Sequence, residues 1–191
     1  MNKKILVVSG SPRTNGNTAL LVQWFADGAA GQGACVETVN AAAAEGAGCR
    51  SCRICQTREE YGCVVKDGIS PVLLKMIEAD AIVMATPLYF FSASAQIKRV
   101  FDRMFSLYKW DNEAGTMRTV LKGKTLALIA SAFEGEGLDC LERPFEITAG
   151  YTGMEYASLL VPFAGVSRHI EGNPSVKREA MAFGKRVAGG L

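Results

Sequence analysis

The sequence predicts one α/β domain, a doubly wound parallel sheet of five strands with helices on both faces. Two observations carry this prediction. Strand-like and helix-like segments alternate about five times along the chain, and the strand-like segments are continuously apolar. Strands that are covered on both faces have this character, which favours a parallel sheet. At 191 residues, of which 49% are hydrophobic, the chain is long enough for one domain with a substantial core.

The five strands are predicted from apolar runs separated by helical or irregular segments. They lie at residues 5–8, 35–39, 81–85, 125–130 and 157–161. A doubly wound sheet places its ligand beyond the carboxyl ends of its strands. The loops that follow these runs are therefore the first places to look for a functional site.

Helical segments are predicted between the strands and after the last of them. They begin with Asn17 or Thr18 as a cap, at Ser70-Pro71, shortly before Ile97, at Pro144 and at Asn173-Pro174. The third is the clearest, because its apolar side chains recur at steps of three and four. These side chains are Ile97, Val100, Phe101, Met104 and Tyr108. The fourth is expected to be short, from Pro144 to about Gly150.

Composition and charge exclude several functional classes. The net charge is +2 at pH 7 and no block of lysine or arginine occurs, which argues against nucleic acid binding. The opening Met1-Asn2-Lys3-Lys4 precedes only four apolar residues, too few for a secretory signal. No apolar run has the length needed to cross a bilayer. We therefore expect a cytoplasmic protein that binds neither nucleic acid nor membrane.

A small polar loop joins the first strand to the first helix, and its composition suits phosphate. Residues 9–18 read Ser-Gly-Ser-Pro-Arg-Thr-Asn-Gly-Asn-Thr. Ser11, Asn17 and Thr18 supply neutral hydrogen-bond donors, and the Arg13 guanidinium supplies a charged donor that can form two bonds to one phosphate. They lie where the start of a helix offers free N–H groups. Neither a Walker motif nor the Gly-x-Gly-x-x-Gly dinucleotide fingerprint is present. The alternative is an ordinary strand–helix turn with a good cap.

Two further loops are expected at the same edge of the sheet. Residues 85–92, after the third strand, place Tyr89, Phe90 and Phe91 in succession after Pro87. Such an aromatic wall can stack on a flat ring, or it can plug the core. Residues 131–137, after the fourth strand, contain glycines that let a ligand approach the backbone, or simply form a flexible connection. The coincidence of three loops at successive strand ends favours a ligand site.

Three sequence motifs carry a resemblance to a known family. They are Gly10-Ser11-Pro12-Arg13 with Gly16-Asn17-Thr18, Thr86-Pro87-Leu88-Tyr89, and Ser94-Ala95-Gln96-Ile97-Lys98 with Asp102-Arg103. They resemble the NAD(P)H-dependent FMN reductase family of flavodoxin-like proteins. The resemblance implies FMN, with its phosphate on the first loop and its ring and ribityl chain on the other two. The implied FMN-binding residues are Ser9, Ser11, Arg13, Asn15, Asn17, Thr18, Pro87, Leu88, Tyr89, Phe90, Ser131, Phe133, Glu134 and Gly135.

Four of the six cysteines form a compact group. Cys49, Cys52, Cys55 and Cys63 have a spacing close to that of ferredoxins. The last gap is longer than in ferredoxins, and Val64 stands where a proline is usual. The pattern resembles the iron–sulfur flavoprotein branch of the same family, which implies a [4Fe–4S] cluster. A four-thiolate zinc site and free thiols are open alternatives.

Other reactive or charged side chains receive no chemical role. Cys35 and Cys140 are expected to be small buried hydrophobes, and Lys98 and Arg103 solvated charges. His169 is the only histidine, so neither a histidine metal site nor a catalytic triad is expected. No residue is identified as catalytic, because a protein of this kind positions and tunes its flavin.

The resemblance implies a single flavodoxin-like FMN-binding domain over residues 1–191, with a cysteine-rich insertion at about residues 47–66. The expected function is an oxidoreductase that passes reducing equivalents from NAD(P)H, or a protein donor, through FMN to a flavin, quinone or similar acceptor. One alternative is an iron–sulfur flavoprotein that carries electrons between protein partners without nicotinamide turnover. Another is a non-redox domain for a different phosphorylated ligand. A homodimer or homotetramer is expected, with residues 107–119 as candidate cover of the flavin.

Overall fold

A five-stranded parallel sheet forms the centre of the molecule, as predicted. The computed structural model describes residues 2–191. In chain order the strands are β1 (Lys4–Ser9), β2 (Cys35–Asn40), β3 (Ala81–Tyr89), β4 (Ser92–Ala93), β5 (Tyr108–Asp111), β6 (Thr116–Thr119), β7 (Thr125–Ser131) and β8 (Glu155–Val161). The parallel strands follow the spatial order β2-β1-β3-β7-β8. This is the flavodoxin-like order, whose switch point lies between β1 and β3.

Five helices cover the two faces of the sheet. They are α1 (Asn17–Ala30), α2 (Ser70–Glu78), α3 (Ala95–Arg103), α4 (Leu138–Thr152) and α5 (Pro174–Gly189). Successive residues of β1 alternate between two cores: Leu6 and Val8 face α2, α3 and α4, whereas Ile5 and Val7 face α1 and α5. In the part of the chain described, no helix combines the length and apolarity that crossing a bilayer requires.

Two glycines allow α1 and α5 to pack in direct contact. A Cβ atom on Gly28 would lie 2.1 Å from the carbonyl oxygen of Met181, and one on Gly184 would lie 2.0 Å from that of Phe25. No other residue fits at these distances. The close approach brings the rings of Phe25 and Phe183 to 5.7 Å between centroids.

The predicted start of the fourth helix is wrong. α4 begins at Leu138, six residues earlier than expected, and Pro144 lies inside it. Proline in a helix interior removes one backbone hydrogen bond. The helix continues because Leu138, Leu141 and Phe145 lie on its buried face and their burial outweighs that loss.

The predicted third helix is too long. α3 ends at Arg103, and a 3-10 turn, Met104–Leu107, follows it. Tyr108 begins β5 instead of a further helical turn. The apolar spacing predicted a longer helix because the 3-10 turn also keeps Met104 and Leu107 buried.

Two antiparallel pairings are absent from the prediction. β3 continues to Tyr89 and turns back through Phe90 and Phe91 into the two-residue strand β4. The turn residues have φ values of 45° and 60°, which asparagine and glycine usually provide. β5 and β6 form a separate hairpin between α3 and β7. The β3–β4 turn lacks the usual turn residues, whereas the β5–β6 loop has Gly115 at a left-handed position, with φ of 61°, and was overlooked.

Three side chains lie in environments opposite to those predicted. Cys35 and Cys140 are exposed, the first on the edge strand β2 and the second near the start of α4. Arg103 is 2% exposed instead of solvated, and its guanidinium lies 2.7 Å from the Asp67 carboxylate. Lys98 is exposed, as expected, and pairs with Asp102 on the same helix.

Candidate functional site

A cleft of about 510 Å³ opens at the carboxyl edge of the sheet. Its walls come from the three predicted loops and from a fourth that follows β8. The lining residues are Ser11, Arg13, Gly16, Asn17, Thr18, Pro87, Leu88, Tyr89, Ser131, Ala132, Phe133, Ala164, Gly165, Val166 and Ser167. Nine of the fourteen predicted FMN-binding residues are among them. A cleft of this volume holds a small organic ligand.

The other five predicted residues do not line the cleft. They are Ser9, Asn15, Phe90, Glu134 and Gly135. Ser9 ends β1, and its carbonyl accepts a hydrogen bond from Ala41. Phe90 is 98% exposed because the β3–β4 turn projects it away from the protein. A position in one of the predicted loops is therefore not enough to predict that a side chain lines the cleft.

One end of the cleft is the amino terminus of α1. Gly16 is the N-cap, not Asn17 or Thr18 as predicted, and no described side chain caps the helix. The first backbone hydrogen bond within the helix runs from the Leu20 N–H to the Gly16 carbonyl. The N–H groups of residues 17–19 precede that bond and carry the positive end of the helix dipole. This end of the cleft is therefore suited to an anion.

Side chains around this helix end add polar groups and one cation. Arg13 is exposed at the cleft wall, and no described carboxylate pairs with its guanidinium. Ser11 is buried, and its Oγ accepts a hydrogen bond from the Arg13 N–H at 3.2 Å. Thr18 and Ser131 join the first and third loops through hydroxyls 2.9 Å apart. The loops are thus fixed relative to each other before any ligand binds.

The fourth wall was missed by the sequence analysis. Asn17 Nδ2 donates to the carbonyl oxygens of Ala164 at 2.8 Å and Val166 at 2.9 Å, and to that of Gly165 at 3.4 Å. The Asn17 Oδ1 atom is buried and has no hydrogen-bond partner among the described residues. The signal was present, because this segment follows the fifth predicted strand at the same sheet edge.

The opposite end of the cleft is apolar. Pro87 and Leu88 are half-buried in the last part of β3, and Tyr89 beside them is 43% exposed. Phe133, from the third loop, is 68% exposed across from them. A ligand with an anionic tail and a flat apolar body fits this polarity from end to end.

The four clustered cysteines line a second, much smaller hollow. Cys49 and Cys52 are exposed, Cys55 is buried and Cys63 is intermediate. Burial raises the pKa of the Cys55 thiol, while a hydrogen bond from Gln56 and the charge of Lys109 act in the opposite direction. Within residues 2–191, no three histidine, cysteine or acidic side chains are gathered closely enough to hold a metal ion. The fold thus brings the predicted ligands to one hollow without closing them into a site.

Long cationic side chains hold the cysteine segment in place. Arg99 donates to the carbonyls of Ala41 and Gly46, at 2.7 and 2.8 Å. Arg103 donates to the Val65 carbonyl at 3.0 Å while it pairs with Asp67. Both arginines belong to α3, so this helix anchors the irregular segment to the core.

A buried lysine of β5 lies against the same segment. Lys109 is 3% exposed, and its ammonium donates to the carbonyls of Cys55 and Glu60. The ammonium also lies 5.3 Å from the centre of the Tyr61 ring. In the described chain it forms no ion pair with a carboxylate. A buried cation without a counter-ion favours negative charge nearby.

The molecule is an α/β protein of flavodoxin-like fold with a cleft at the carboxyl edge of its sheet, and sequence comparison identifies the family. Residues 3–161 match the family described as NADPH-dependent FMN reductase. The chain belongs to this family.

The curated relatives of the chain include iron–sulfur flavoproteins of archaea. One from Methanocaldococcus jannaschii is 40% identical over 100 residues, which cover 52% of this chain and 51% of the relative. One from Methanosarcina thermophila is 35% identical over the same extent. The match thus spans about half the length of the relatives.

Solved structures of low sequence identity share the fold. An FMN-dependent NADH-azoreductase from Bacillus anthracis, in complex with FMN, has a TM-score of 0.72 at 13% identity. The alignment covers 98% of this chain and 100% of the azoreductase. An NAD(P)H:quinone oxidoreductase from Methanothermobacter marburgensis has a TM-score of 0.71 at 14% identity, with 98% of each chain covered.

Proposed function

We propose that the protein is an FMN-dependent oxidoreductase that takes reducing equivalents from NAD(P)H and passes them to a small acceptor. The observation that carries the proposal is the polarity of the cleft, which runs from the uncapped end of α1 to the apolar wall at Pro87, Leu88 and Tyr89. FMN has a dianionic phosphate at one end and a flat ring at the other. Family membership and the FMN-bound fold neighbour support the same cofactor.

The proposal assigns the phosphate to the α1 end of the cleft. Arg13 supplies the charged donor there, and the N–H groups of residues 17–19 supply neutral ones. The buried Asn17 Oδ1 is an acceptor that a ribityl hydroxyl can satisfy, because a hydroxyl donates and a phosphate dianion does not. These groups bind and orient; none transfers a proton.

The apolar end would hold the ring. FMN supplies hydride and single-electron chemistry when it is bound, so the chain's task is to position the ring and limit water around it. Tyr89 and Phe133 are both substantially exposed, which leaves the ring end of the cleft open to an acceptor. The neighbours named as azoreductase and quinone oxidoreductase support a flat, uncharged acceptor for this chain.

An oligomer would complete the cover of the ring. A homodimer or homotetramer is proposed, with the β5–β6 hairpin as the covering element. Its Trp110 is 45% exposed, so its ring is accessible to a second copy of the chain. Sedimentation of the FMN-loaded protein, with and without Trp110→Ala, tests this part of the proposal.

We further propose that the four cysteines ligate a [4Fe–4S] cluster. The curated relatives, which match 100 residues of this chain, are named iron–sulfur flavoproteins. Lys109 supports an anionic, thiolate-ligated centre over neutral free thiols, because its buried charge lacks a carboxylate partner. Iron, sulfide and zinc analysis of anaerobically purified protein separates the cluster from zinc and from free thiols.

The decisive experiment for the function is anaerobic reduction. The protein, loaded with FMN, is mixed with NADPH or NADH, and the flavin absorbance is followed. The proposal predicts rapid loss of that absorbance and its return when a quinone is added. Retained FMN that neither nucleotide reduces would instead indicate an electron carrier between proteins. A protein that fails to retain FMN would be a binding domain for another phosphorylated ligand.

A further inference from the structure

The segment that follows β8 closes one side of the cleft. Residues 164–167 line the cleft, although they lie beyond residue 161, where the family match ends. The Ala164 N–H donates to the Ala132 carbonyl at 2.8 Å, which ties the segment to the third loop. Neither the family match nor the sequence motifs assign a role to these residues.

The amide of Asn17 holds this segment against the start of α1. Its Nδ2 atom has two hydrogens, and three carbonyls of the segment lie within hydrogen-bond distance of it. Those hydrogens are therefore not free to face a phosphate. A second link, from Arg168 to the Asn15 carbonyl at 3.4 Å, joins the same two parts of the chain.

Ser167 and Arg13 both lie close to the amino terminus of α1. A Cβ atom built on Gly16 would lie 3.3 Å from the Arg13 Cβ and 3.8 Å from the Ser167 Oγ. Both residues line the cleft, and Ser167 is exposed. An anion at the helix end would thus have the Arg13 side chain and the Ser167 hydroxyl near it.

We propose that residues 164–167 form a phosphate clasp, in which Ser167 contacts the phosphate and Asn17 is a positioning residue. The Asn17 side chain acts through the segment that it holds, not through a contact of its own with the phosphate. The inference rests on the proposed binding of FMN and deepens it. It adds Ser167 as a specificity residue for flavins that carry a terminal phosphate.

A double-mutant cycle with two flavins tests the clasp. Dissociation constants for FMN and for riboflavin, which lacks the phosphate, are measured by quenching of flavin fluorescence. The variants are Ser167→Ala, Asn17→Ala and the combination of both, with Ser175→Ala on α5 as the matched control. Ser167→Ala should weaken FMN binding about tenfold or more, the effect of one hydrogen bond to a charged group, and leave riboflavin binding unchanged.

The combined variant distinguishes positioning from direct contact. Because Asn17→Ala releases the segment and with it Ser167, the double variant should bind FMN no more weakly than Asn17→Ala alone. Additive effects would overturn the positioning role. An unchanged FMN affinity in Ser167→Ala, a variant of an exposed side chain, would overturn the clasp itself. Failure of the wild-type chain to bind FMN would instead overturn the proposed function on which the inference rests.

Discussion

The cleft and the cysteine hollow are built in different ways. The cleft lies at the ends of buried strands, and its loops are joined by short hydrogen bonds such as that between Thr18 and Ser131. The hollow lies in an irregular segment between β2 and α2, whose only regular turn is the 3-10 turn Ile54–Gln56 in the part described. The segment is held from outside by Arg99, Arg103 and Lys109.

This difference predicts that the two regions respond independently to change. The sheet positions the cleft, so cleft residues can be replaced without loss of the fold. The hollow depends on a few buried cations, so loss of one of them should open the cysteine segment while the cleft stays intact. The two regions share no lining residue, which makes this independence testable.

Arg103→Met should have the largest effect. It leaves the Asp67 carboxylate and the Val65 carbonyl without their buried partner, a loss of about 3 kcal/mol or more. Hydrogen exchange of the Gly62 amide, which donates to the Ser106 carbonyl at 2.9 Å, should accelerate strongly. FMN affinity should stay within about twofold of wild type. An equal loss of FMN affinity would show that the two regions are coupled.

Lys109→Met should have the next largest effect. The carbonyls of Cys55 and Glu60 lose their donor, at about 1–3 kcal/mol, and the hollow loses one nearby positive charge. We expect iron retention to fall markedly, while Lys177→Met, an exposed lysine of α5, retains iron as wild type does. Iron content unchanged in Lys109→Met would refute the electrostatic role of this lysine.

Arg13→Ala should affect the cleft alone. Loss of one charge-assisted hydrogen bond costs about 1.5–3 kcal/mol, so FMN affinity should fall about 10- to 100-fold. Riboflavin affinity and iron content should not change. Arg178→Ala, an exposed arginine on α5, is the matched control for flavin titration. An equal fall for riboflavin would remove the phosphate assignment of Arg13.

Lowering the pH should open the cysteine hollow, and we expect this effect to be the smallest of those predicted. Burial opposes ionisation of Asp67, but hydrogen bonds from Arg103 and the Ile69 amide outweigh it and hold the pKa of this carboxyl below its usual value. The stabilising contribution is therefore present above the unfolded pKa of about 4 and is lost as pH falls through the lower folded value. Exchange of the Gly62 amide, corrected for its intrinsic pH dependence, should show added opening only below about pH 4. Opening between pH 5 and 7 would contradict this assignment.

The sequence predicted the sheet well because continuous apolar runs are typical of parallel strands that are covered on both faces. The structure confirms the five parallel strands, with ends that lie within a few residues of the predicted ones. It also confirms the starts of α2 and α5 at their prolines. Pro144 misled because a proline that is tolerated inside a helix looks the same in sequence as one that begins it. The β3–β4 turn was missed because aromatic residues occupy its two left-handed positions.

The candidate site was predictable where its chemistry is local. Arg13, Thr18 and Tyr89 were expected in the cleft from loop composition, and the structure brings them there. Arg103 and Lys109 could not be recognised as anchors, because an isolated cation in a sequence is usually solvated and its partners are distant carbonyls. The wall at residues 164–167 could have been expected, because it follows the fifth predicted strand, but its link to Asn17 could not, since it joins residues 147 or more positions apart.

One measurement tests the central claim that the α1 end of the cleft binds the phosphate of FMN. The dissociation constants of the flavin-free protein for FMN and for riboflavin are compared at the same ionic strength. Several hydrogen bonds to a dianion predict that FMN binds about 100-fold more tightly than riboflavin, or more. Equal affinities for the two flavins would contradict the account.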